Sequence, residues 1–290
     1  MINAIIVYIN DHKWGKKMEN MTAENQLVKL ILTINMKPEE CNYNKTSSFH
    51  GALMEIIDED YAEFLHEQGL KPYSQHLQVE DDKVTWHINA LSAEAYRKII
   101  EPVLDKNFIE FRLEHDDRTI RILDKKLQSC SLDELFQDFY ANDAANIFRI
   151  VFLTPTAFKK DGKYSFYPEI YNIYQSLMRR FDEVSDRGNM FSQNTLEQLT
   201  ESTEVVGYSL RSVKFSLEKV RIPAFVGSIT LKIHGAQTMC NFARLLFEFG
   251  NYSGIGIKTA IGMGSVNITE RRRTDNDRAG SETGSRRPIT

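Results

Sequence analysis

Four glycines near the end of the chain, Gly254, Gly256, Gly262 and Gly264, form two Gly-x-Gly pairs with Lys258-Thr259 between them. Glycine is favoured where the backbone needs positive φ or must approach another group closely. The stretch therefore predicts a loop between the helical pattern before it and the strand pattern after it. Paired glycines around a lysine suggest backbone N–H groups turned toward an anionic ligand, with a tight turn to an edge strand as the alternative. Gly254, Gly256, Lys258, Thr259, Gly262 and Gly264 are the candidate contacts. Two phosphate motifs fail here. The dinucleotide fingerprint needs a glycine where Thr259 stands and opens a helix instead of following one. The Walker loop needs a glycine where Ile257 stands, so nucleotide hydrolysis is not supported.

At 290 residues the chain has room for one large or two small domains, and 42% apolar content supplies a core. Cys41, Cys130 and Cys240 are far apart and form no Cys-x-x-Cys pair. That argues against a disulfide framework or a zinc site and predicts a reducing, cytoplasmic setting. The apolar run Ala4–Ile9 is too short to span a membrane, so no membrane partner is expected. Residues 1–20 read as an extension or an early start codon. Charge is unevenly placed: residues 21–145 hold 13 Lys and Arg against 24 Asp and Glu, whereas residues 146–270 hold 14 against 11. The basic second half suits a local anion-binding face.

Gln26–Met36 predicts a buried strand, followed by a helix through Phe49, Ala52, Leu53 and Ile56 capped by Ser47 or Ser48. Asp58-Glu59-Asp60 opens a second short helix that Gly69 ends. Strands Ser74–Val79 and Val84–Ile88, helix Ala93–Leu104 and strands Phe108–Glu114 and Thr119–Ile122 complete the half, with Ser131–Tyr140 as a helical crossing. The second half repeats the plan. Strand Asn146–Leu153 leads to helix Tyr167–Phe181, a polar loop Asp182–Glu201, strands Val205–Ser216 and Ala224–Ile233, helix Ala236–Phe249, and the closing strand Ile261–Ile268. The expectation is an α+β chain of two tandem ferredoxin-like (RRM-like) βαββαβ domains, 21–145 and 146–270, with a disordered tail over 271–290.

Several stretches resemble the CRISPR-associated endoribonuclease family that cuts repeat RNA into guide units. They are Gly254–Gly264 with Asn241–Gly250 before it, Phe152–Lys159, Ala224–Ser228, and Phe64–Glu67 followed by Lys71-Pro72-Tyr73-Ser74. The resemblance implies cleavage at a fixed point in the repeat without metal or cofactor. The 2′-hydroxyl attacks, leaving a 2′,3′-cyclic phosphate and a 5′-hydroxyl. Repeat RNA, as precursor guide RNA, is the implied partner. A homodimer and contacts with CRISPR effector complex proteins are left open. The alternative is a module of such a complex that binds repeat RNA without cutting it.

Metal-free transesterification needs a base, a donor for the leaving oxygen and positive charge at phosphorus. His66 sits at the position of the family histidine, and Lys71 corresponds best to its lysine. Where some members place a tyrosine on the first helix this chain has Met54, so His50 or Tyr61 is left to share that work. His76 and His87 read as structural, and His234 as a surface residue. Arg211, Lys214, Lys219 and Arg221 cluster near a hairpin, where they either line an RNA groove or solubilise a sheet face.

Overall fold

The computed structural model describes residues 5–8, 26–67, 69–185, 191–217 and 220–271. The first half is built from β2 (Gln26–Ile34), α1 (Thr46–Ile56), α2 (Glu59–Glu67), β3 (Tyr73–Glu80) and β4 (Lys83–Ala90). It continues through the composite helix α3 over 93–104, with a π turn at Tyr96–Ile100, to β5 (Glu110–Leu113) and β6 (Arg118–Ser131). The sheet order β6-β2-β4-β3 is antiparallel throughout. A short strand β1 (Ile5–Tyr8), inside the segment expected to be an extension, pairs with β6.

After the crossing helix α4 (Leu132–Ala141) the second half begins with β7 (Ile147–Thr156). It runs through the small hairpin β8 (Phe158–Lys160) and β9 (Lys163–Ser165), then α5 (Ile170–Val184), α6 (Gln193–Glu201), β10 (Thr203–Leu217), β11 (Val220–Ile233), α7 (Gln237–Ser253) and β12 (Val266–Glu270). Its order, β10-β11-β7-β12, is the same as in the first half once the strands are matched by position. Both halves are ferredoxin-like, as the pattern predicts.

Several boundaries differ from the sequence-based expectation. The polar segment 182–201 is not a loop throughout. Leu196 and Leu199 are fully buried, and the Ser192 side chain accepts the Thr195 N–H, so one capped helical turn is enough to start α6. The strand expected at Thr119–Ile122 runs on to Ser131, because β2 offers it a ladder along its whole length. The closing strand starts at Val266, since Thr259–Ile261 forms a 3-10 turn. Neither serine caps α1. Lys45 precedes it, and Ser47 Oγ instead donates to Asn44 O.

In the first half, Val28, Leu30, Leu32 and Ile34 face α1 and α3 around Phe49, Trp86 and Phe111. The other sheet face is polar and still buried. His76 and His87 lie opposite one another with ring centroids 4.5 Å apart. Lys29 stands over the Tyr252 ring of α7 at 5.1 Å, and Ser74 Oγ donates to Tyr252 O at 2.6 Å. The two halves thus meet through a buried polar layer.

That layer makes the fold acid-sensitive. Burial and the Lys29 cation lower the His76 pKa to about 3, and burial with His76 beside it lowers that of His87 well below the ordinary histidine value. The unfolded chain takes up these protons near pH 6.5, the folded one only far lower, so stability is complete above pH 6.5 and falls as pH drops. Each buried histidine contributes a slope of roughly 1.4 kcal/mol per pH unit in that window. Urea midpoints from pH 7 to pH 4.5 should decline steeply in the wild type and less steeply in His76→Gln. A flat wild-type profile contradicts this account.

Candidate active site

The cleft of interest is about 690 Å³ and is lined from both halves. The first half contributes His50 and Gly51 on α1, His66 at the end of α2, and Lys71 after it; the second contributes Arg180 on α5 and Lys258–Ile261 of the glycine segment. Local rules explain the placement. Phe49, Ala52 and Leu53 bury one face of α1, which turns Ser47, His50 and Gly51 toward the cleft. The helical run breaks at Ile57, and the Asp58 side chain accepts the Tyr61 N–H to start α2. Tyr61 and Leu65 anchor α2, leaving His66 exposed at its last turn.

Lys71 caps that helix. Its ammonium donates to the carbonyl of Leu65 and, at 3.4 Å, to that of His66. A cation on the last carbonyls also complements the negative end of the helix dipole. The ammonium pKa is lowered by burial.

The His50 ring is held by Tyr73, whose hydroxyl hydrogen-bonds Nδ1 at 3.0 Å. Burial first, then the nearby His66, Lys71 and Lys258, lower the His50 pKa to about 4, so the imidazole is neutral near pH 7. Tyr73 is fully buried, with its own hydroxyl pKa pushed up. It positions His50 without reaching the cleft. Sequence reasoning missed it, although Tyr73, Gln75 and Leu77 alternate on the strand face that meets α1. Met54 packs against the first-half core, and the Tyr61 hydroxyl is buried without a partner, so Tyr61 brings no phenol to the cleft in place of the missing tyrosine.

The expected cradle of free glycine amides is not what forms. Gly254 N–H donates to Gly250 O, Gly256 N–H to Ser176 Oγ, Gly262 N–H to Thr259 O and Gly264 N–H to Pro155 O. All four glycines have positive φ. A Cβ on Gly264 would lie 2.0 Å from Ile255 O, and one on Gly262 would lie 2.3 Å from Thr46 Cγ2. These residues therefore serve closure of the segment on itself and its docking against α1. Thr259 is buried as well and its hydroxyl meets no partner.

Lys258 is different. It is the one exposed residue between Asn251 and Ser265, and its backbone is left-handed at φ 57°. That conformation costs a non-glycine residue about 1–2 kcal/mol. Its carbonyl accepts from both Ile261 N–H (3.0 Å) and Met263 N–H (3.2 Å), which fixes the strained turn. Arg211 and Lys214 are exposed, but three residues apart on β10 they point to opposite sheet faces and do not line the cleft. Arg221 is likewise exposed, and Lys219 lies outside the described residues.

The profile of the CRISPR-associated endoribonuclease Cas6 family matches residues 150–266. A CRISPR-associated endoribonuclease Cas6 from Streptococcus thermophilus is 32% identical over 77% of this chain and 91% of its own length. The chain belongs to the Cas6 family. The Cas6 of Mycobacterium tuberculosis is 33% identical over 76% of this chain and 70% of its own length. Among solved structures, a Cas6 product complex superposes with a TM-score of 0.70 at 20% identity, covering 84% of this chain and all of that one. The Cas6 of Thermus thermophilus gives 0.64, also at 20%, over 85% and 99%. These likenesses support the fold. Among the described residues, no group of three or more His, Cys, Asp or Glu is placed to hold a metal ion, and no helix is long and apolar enough to cross a membrane.

Proposed function

We propose that this Cas6 chain cuts CRISPR repeat RNA in the cleft, without a metal ion, by attack of the 2′-hydroxyl on the adjacent phosphate. The new bond joins the 2′-oxygen to phosphorus, and the bond to the 5′-oxygen breaks. A 2′,3′-cyclic phosphate is left on the upstream product and a 5′-hydroxyl on the downstream one. The observation that carries this is the convergence of two imidazoles and Lys71 from one half with Lys258 from the other on a single cleft.

His66 is the proton carrier. Histidine suits that role near neutral pH, and His66 faces solvent at the cleft wall. Lys71 orients the His66 turn and brings positive charge beside the phosphate. His50, kept neutral by burial and the nearby cations and fixed in place by Tyr73, offers one directed hydrogen bond. Lys258 holds the RNA backbone from the opposite wall. Side chains supply the grip, because the glycine amides are already engaged.

The test compares repeat RNA from the protein's own locus with the same RNA carrying one 2′-deoxy at the cleavage position, both in excess EDTA. Cutting of the first alone is expected. Loss of cutting in EDTA, or cutting of the deoxy substrate, removes the mechanism. Tight binding with no cutting of either returns the chain to the binding-module alternative.

A further inference from the structure

Arg180 is the least satisfied group in the cleft wall. It falls on the apolar stripe of α5, seven residues after Ile173 and three after Leu177, where a charged side chain is out of place. It is only 5% exposed, and its Nε and Nη1 are enclosed with no hydrogen-bond partner. An enclosed guanidinium normally carries a carboxylate or several carbonyls, since desolvating an unpaired charge is strongly unfavourable. Glu55 and Glu114 share the cleft, yet neither pairs with it; Glu114 is 3.3 Å from Arg112 instead. Burial lowers its pKa only to about 10, so it stays charged near neutral pH.

The arrangement has the form of a binding group awaiting its counter-ion. α5 is tied to the glycine segment through Ser176, one turn before Arg180, so the guanidinium is held in register with Lys258. We infer that Arg180 is the second half's phosphate clamp, taking a phosphodiester oxygen of the RNA strand that lies between His66 and Lys258. The inference rests on the RNA-cleaving reading of the cleft and adds a substrate-holding residue to it. A guanidinium keeps its charge when enclosed and holds its donors in a fixed plane, which a lysine's rotating ammonium does not.

The clamp separates stability from binding. An arginine kept for packing or for a buried ion pair lowers the melting temperature when replaced. An unpaired one does not. Arg180→Met should therefore melt at or above the wild-type temperature without RNA. It should bind the 2′-deoxy repeat RNA about 10- to 100-fold more weakly, with a salt slope smaller by about one. Binding within twofold of wild type and an unchanged slope overturn the clamp. If Arg180→Met fails to fold, Arg180→Lys decides: folded but weak in binding supports the clamp, and folded with wild-type binding removes it. Should the wild type neither cut nor hold the repeat RNA, the parent reading falls by itself. Inorganic pyrophosphate then reads Arg180 independently: a larger rise in melting temperature for wild type than for Arg180→Met supports an anion clamp, and an equal rise excludes it.

Discussion

His66→Ala should slow single-turnover cleavage of repeat RNA by about 10²- to 10⁴-fold, the usual range for removing a positioned proton-transfer group. Binding of the 2′-deoxy repeat should stay within about twofold, because a solvent-facing imidazole at a helix end supports no packing. His50→Ala should cost less. Burial and the cations around it make its imidazole a weaker proton acceptor than an ordinary histidine, and Tyr73 engages one of its two nitrogens, so a directed hydrogen bond is its main contribution. A His66→Ala enzyme cutting at the wild-type rate would reverse these assignments and make His50 the first residue to examine.

Gly262→Ala should be strongly damaging although it touches no chemical group. The new Cβ would lie 2.3–2.4 Å from the Thr46 side chain, at the first turn of the helix that carries His50. Its φ of +102° is also one that side-chain-bearing residues avoid. Clash and strain together should lower stability by about 2–4 kcal/mol. Cleavage should fall further than binding, since α1 and the glycine segment can no longer close on the same phosphate. Gly51→Ala is the matching control. Nothing lies within 4 Å of its added Cβ, and it sits in the interior of α1. It should raise stability by about 0.5–1 kcal/mol. Urea unfolding of both variants checks the pair; equal midpoints would mean that the two halves do not lock through Gly262.

Much of the fold was legible because its signals are local. Alternation along 26–34 and 147–153 marks the two central strands, and the 3.6-residue stripe of 49, 52 and 53 marks α1. The β8–β9 hairpin escaped because three-residue strands carry too little pattern. α6 escaped because only Leu196 and Leu199 distinguish it from the polar run around it. At the site, His66 and Lys71 were named through the family resemblance, and both line the cleft because the end of α2 and the short loop after it carry them. Tyr73 and Arg180 could not be assigned from proximity in the chain. Tyr73 meets His50 across 23 positions, and Arg180 faces groups that arrive from the other half. A charge on an apolar stripe was the one clue available for Arg180. The glycines were read correctly as a backbone device. Whether their amides turn outward or inward depends on Pro155, Ser176 and Thr46, which no local pattern reveals.

Because the glycine segment is stitched shut by hydrogen bonds within itself and to Pro155, Ala157 and Ser176, it forms a rigid mount with an interchangeable tip. Replacing the residue at 258 would change what the mount presents while leaving its geometry intact, provided the newcomer tolerates a left-handed backbone. Asparagine or glycine fit that condition more easily than any branched side chain. Substitution at that one position would then alter the exposed group without renegotiating how the two halves are held together.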